Sequence, residues 1–99
     1  MISDPHAALR DRVIARVLDG EGETDSTLRK SVADDTSVPA DLRTLVEKIH
    51  RHACKVTDDD IARAQATYGD DKMFEIVVSS ALGAARQRLI AGLKALEEA

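Results

Sequence analysis

The sequence predicts an all-α protein: a compact bundle of about five helices, the last of them long. Three observations carry this. Apolar residues recur at helical spacing in successive segments, each opened or closed by a recognisable cap. Phe74 and Tyr68 are the only aromatics and there is no Trp, so the core must be built from Leu, Ile, Val and Ala, which suits close helix packing. Pro and Gly are few, two and five in 99 residues. That length makes one ordinary domain, spanning residues 1–99.

The first helix is expected over residues 5–18, with Asp4 as N-cap, Pro5 in the first position and Gly20 as its stop. Leu9, Val13 and Val17 form its apolar stripe. Residues 21–25, with Gly20 and Gly22, read as a loop. A short second helix follows over 26–33, anchored by Leu28 and Val32. Ser37 caps a third helix that has Pro39 in its first turn, with Leu42, Leu45, Val46, Ile49 and Ala53 at helical spacing as far as Cys54. Thr57 to Asp60 resemble a capping box in which Asp60 replaces Glu. Ile61, Ala64 and Tyr68 line the fourth helix, and Gly69 ends it.

The last helix is expected over 71–97. At about 100° per residue, Phe74, Val77, Val78, Ala81, Ala85, Leu89 and Leu96 share one face. A second strip, Ile76, Gly83 and Ile90, lies opposite, beside Ser79, Ser80 and Ala84. A helix with one buried face would not place two isoleucines there. Either the chain covers that strip itself or a partner subunit does. Ile76, Ser79, Ser80, Gly83 and Ile90 are therefore the candidate oligomer interface, small residues allowing close backbone approach.

Charged residues make up 32% of the chain and apolar ones 43%, with a net charge of −4. Such a balance excludes disorder and any global attraction to nucleic acid or an anionic membrane. Acidic residues cluster at 21–25, 34–35, 58–60 and 70–71, where they read as helix caps. Residues 1–5 lack the pattern of a signal peptide. The longest apolar stretch, 76–85, is about half the roughly twenty residues of a membrane span. A soluble, cytoplasmic protein is expected, with neither nucleic acid nor membrane as partner.

The richest chemistry lies in His50-Arg51-His52-Ala53-Cys54. On a continuous helix His50 and Cys54 are one turn apart, a spacing open to a thiolate beside an imidazolium or to two zinc ligands. The plainer reading makes Cys54 a small buried side chain and the histidines flanks of the apolar stripe. One cysteine permits no internal disulfide. Arg10, Arg12 and Arg16, with Arg86, Arg88 and Lys94, are the main basic clusters. Without aromatics or a Gly-rich turn they read as solvated faces. Glu47 and Glu75 are isolated carboxylates with no identifiable partner. No metal site and no cofactor is expected.

From about Val38 onward the chain resembles the C-terminal half of the alkylhydroperoxidase-like, or carboxymuconolactone decarboxylase, superfamily. The carrying residues are Val56 to Ala62, the Gly69 turn, Phe74 to Val78, Ala81 to Ala84, and Arg88-Leu89. The resemblance implies an all-α subunit that assembles into dimers, trimers or hexamers. Redox-active members carry Cys-x-x-Cys with a following His, and this chain has neither, so no catalytic residue carries over. A disulfide-cycling peroxidase also needs a second thiol. The expectation is a non-redox, self-associating accessory or assembly module, partnered by its own copies or by a catalytically complete relative. The alternative is a small-molecule lyase or single-thiol peroxidase with its site at a subunit interface, Cys54 and His50 being its catalytic candidates.

Overall fold

A computed structural model describes residues 6–98. These form five α-helices, α1 (Ala7–Asp19), α2 (Ser26–Asp34), α3 (Arg43–Arg51), α4 (Asp58–Tyr68) and α5 (Asp70–Glu98), with a 3₁₀ turn at Ala53–Lys55. The described residues contain no strand, and none of their helices is long and apolar enough to cross a membrane. The expected N-terminal signals Asp4 and Pro5 lie outside the described residues.

Recognisable caps set both ends of α4. The Thr57 hydroxyl accepts from the Asp60 N–H at 3.2 Å, and Asp60 accepts from the Thr57 N–H at 3.0 Å. The capping box therefore forms with Asp in the Glu position. Gly69, at φ 83°, makes the left-handed turn between α4 and α5 that a side chain would resist. Asp58 to Asp60 and Asp70-Asp71 occupy first helical turns, where carboxylates meet the positive end of the dipole. Asp34 and Asp35 depart from that pattern: they close α2, with Asp35 at φ 54°.

The third helix differs most from expectation. Ser37 does not cap it but lies in the left-handed region, at φ 55°. A tight turn follows, with Leu42 N–H donating to the Pro39 carbonyl at 2.9 Å, and the helix starts only at Arg43. It ends at Arg51, so Ala53 is exposed rather than part of the apolar stripe.

The core lies where α2, α3 and α4 meet the first half of α5. Leu42, Val32, Val46 and Ile76 are fully buried there, with Leu45, Ile49, Ala64 and Met73 around them. Leu28, Ile61 and Tyr68 pack against this cluster as expected.

On α5 the two faces are exchanged relative to expectation. Ile76, Ser79, Ser80, Gly83 and Ala84, most of the strip left open to either the chain itself or a partner subunit, are buried by the protein itself. The reason is close packing of α2: a Cβ on Gly83 would overlap the Ala33 carbonyl. Small residues do admit a neighbouring backbone, but it belongs to the same chain. Ile90 alone of the five interface candidates remains exposed. The Ser79 and Ser80 hydroxyls have no hydrogen-bond partner, a cost to stability accepted where the helices touch.

Conversely, most of the face expected to be core is wet. Phe74, Leu89 and Leu96 are 71%, 39% and 62% exposed. On α1, Leu9 and Val13 are also exposed, and the buried residue is Ile14.

Candidate functional site

The sequence candidates for chemistry do not meet. The helix carrying His50 stops at Arg51, so the one-turn relation to Cys54 is lost, and Cys54 sits exposed in the 3₁₀ turn rather than buried. His50 is buried and committed elsewhere: its Nε2 donates to the Val32 carbonyl at 2.7 Å, joining α3 to α2. The His50 carbonyl in turn accepts from Arg88 Nη2 at 2.7 Å, which ties α5 to the end of α3. His52 and Glu47 point to solvent. Among the described residues, no group of three His, Cys, Asp or Glu side chains converges as a metal site.

Two polar networks were not foreseen. Glu75, isolated in sequence, receives the Glu23 N–H at 2.8 Å, the Thr24 N–H at 3.3 Å and the Thr24 hydroxyl at 3.1 Å. It thereby clamps the α1–α2 loop onto α5. Burial alone would raise its pKa, but these hydrogen bonds, with the nearby Arg29 charge, hold it below the ordinary value. Gly22 lies close beside it: a Cβ there would meet the Glu75 carboxylate, which would have to shift. Arg29 completes the clamp. Buried on α2, it donates to the carbonyls of Val17, at 2.6 Å, and Gly20. A guanidinium thus satisfies the C-terminal end of α1.

The second network surrounds Asp60. Lys48 donates to it at 2.7 Å, and together with the Thr57 N–H lowers its pKa to about 2. At the other end of α4, Tyr68 donates to Asp41 at 2.9 Å. Burial, then this carboxylate, raises the tyrosine pKa. Every member of both networks bonds to protein, so they read as fasteners rather than as chemistry awaiting a substrate.

What stays open is apolar. A groove of about 390 Å³ runs between α1 and α5, lined by Leu9, Val13, Ile14, Leu82, Ala85 and Leu89, with Arg10 and Arg86 at its edge. Beyond it α5 continues alone. From Ala85 to Glu98 every residue except the half-buried Leu93 is exposed. Leu82, Leu89 and Leu96 recur at seven-residue intervals, so one stripe runs from the groove floor out along the projecting helix.

The groove escaped the sequence because its residues were read as core. Leu9, Val13 and Leu89 do form apolar stripes. Among the described residues, however, no further helix covers them.

Comparison of the chain with protein-family models, with curated proteins and with solved structures gives no match.

Proposed function

We propose that the protein is a self-associating helical module, acting through the apolar face shared by α1 and the projecting half of α5. The observation that supports this is the combination of an unfilled apolar groove with about four turns of helix whose residues, Leu93 apart, are all exposed. Isolated helices of this length are marginal in water and draw most of their stability from packing. A continuous apolar patch on a small protein marks an interaction site. The resemblance to the carboxymuconolactone decarboxylase superfamily, whose subunits assemble, points the same way, and on this reading the module is an accessory or assembly subunit without thiol chemistry.

The association surface moves from the strip first considered to Leu9, Val13, Leu89, Ile90 and Leu96, the exposed large hydrophobics of α1 and of the projecting half of α5. Equilibrium sedimentation tests it. The wild type is expected to associate at micromolar concentrations, and a Leu9→Asp, Leu89→Asp variant to remain monomeric and helical. A wild type that stays monomeric at several hundred micromolar defeats the proposal.

A further inference from the structure

We propose that two copies pair by exchanging the ends of α5, each tail lying antiparallel in the other copy's α1–α5 groove. This rests on the self-association reading and names its occupant and orientation.

The groove and the tail are complementary parts of one chain. The tail carries Leu89, Leu93 and Leu96 and ends in Glu97 and Glu98, while exposed Arg12, Arg16 and Arg86 stand along α1 and the groove edge. Among the described residues, neither these three arginines nor the two glutamates form an ion pair. The protein cannot satisfy the match by itself. Its tail is the straight continuation of the helix that makes one wall of the groove, so it leads away from the groove it would fill.

Helix direction sets the register. α1 runs antiparallel to α5: the loop after α1 bonds to Glu75, whereas His6 near its start lines the groove with Leu89. A two-fold axis at Leu89 then places Leu96 of one copy over Leu82 of the other, and Leu93 over Ala85. The same axis carries Glu97 and Glu98 to the level of residues 80–81, beside the part of α1 that bears Arg12 and Arg16. Each tail thus fills the other groove, and the contact closes on itself as an isologous dimer. The axis has a small residue close by, at Gly92, about 60° around the helix from Leu89, which allows the two α5 helices to approach.

Charge reversal tests the exchange. Variant one carries Arg12→Glu and Arg16→Glu; variant two carries Glu97→Lys and Glu98→Lys. All four positions are exposed, so both variants fold, as circular dichroism will verify. Alone, each is expected to dimerise at least tenfold more weakly than the wild type, because groove and tail now carry like charge. Mixed in equal amounts they are expected to recover a heterodimer of near wild-type strength, and added salt should weaken wild type and mixture alike. Wild-type dimers with reversed variants that associate unchanged, or a mixture that recovers nothing, would overturn tail exchange while leaving self-association standing. A monomeric wild type would overturn both.

Discussion

The two halves of α5 are one helix in two different environments. From Asp70 to Ala84, α2, α3 and α4 pack against it, and Ile76, Ser79 and Ser80 are wholly removed from water. From Ala85 to Glu98 the same helix is almost bare, with α1 beside its beginning and nothing beyond. The first half is held by core packing and by the Glu75 clamp. The second is tied to α3 near its beginning by the Arg88 bond, and beyond that is held by its continuity with the first half and by its good helix formers. Stability and surface availability are therefore divided along one element, and each substitution should report which half it falls in.

The largest contrast is in the core half. Ile76→Ala removes a fully buried side chain from the centre of the cluster and is expected to cost about 3–4 kcal/mol. Leu96→Ala, on the bare half, is expected to stay within about 0.5 kcal/mol for the monomer at low concentration. Urea unfolding monitored by circular dichroism measures both. Similar costs for the two would remove the distinction.

The glycines sharpen it. Gly83→Ala forces a Cβ into the Ala33 backbone, so α2 must move, with an expected loss of about 2 kcal/mol. At Gly92 a Cβ meets nothing within 4 Å in the same chain, so in the monomer, at low concentration, Gly92→Ala is expected to stabilise by roughly 0.5–1 kcal/mol through helix propensity. One substitution in one helix should thus change sign across about nine residues, two and a half turns.

Acid addresses the packed end separately. The folded-state pKa of Asp60 is depressed from 3.8 to about 2 by Lys48 and the Thr57 N–H. Its contribution is therefore complete above pH 3.8 and is lost as pH falls through about 2. A Lys48→Met variant should melt below the wild type near neutral pH and approach it near pH 2. A gap that is constant over this range would remove Asp60 from the acid response.

The exchange of faces also shows what was legible. Element order, the capping box at Thr57, the Gly69 turn and the buried apolar residues Leu42, just before α3, and Leu45, Val46 and Ile49 within it follow from local rules, and the structure has them. Which side of α5 faces inward depends on where α2 lies, and helical spacing alone carries no such information when both faces are apolar. Ser79, Ser80 and Gly83 read as an interface because small residues admit a backbone, whichever chain supplies it. The Glu75 clamp was hidden by the sequence separation of 51 between Thr24 and Glu75. Length held an unused clue. A 29-residue helix spans roughly 43 Å at about 1.5 Å per residue, while the next longest, α1, has 13 residues and reaches only about 20 Å. No neighbour in the chain could cover all of α5.

The smallest effect on folding should be the most informative about the bare half. Leu9→Ser and Val13→Ser replace side chains that are about half exposed on the groove wall. Their combined effect on monomer stability, measured at low concentration, is expected to be below about 1 kcal/mol, because little apolar area returns to water. If association fills the groove, however, the same pair should weaken it tenfold or more, since those atoms would then be fully buried between copies. Melting temperature would rise with protein concentration in the wild type and lose that dependence in the double variant. Loss of monomer stability equal to the loss of association would mean that the groove is held closed by its own chain, and the two halves of α5 would no longer differ in kind.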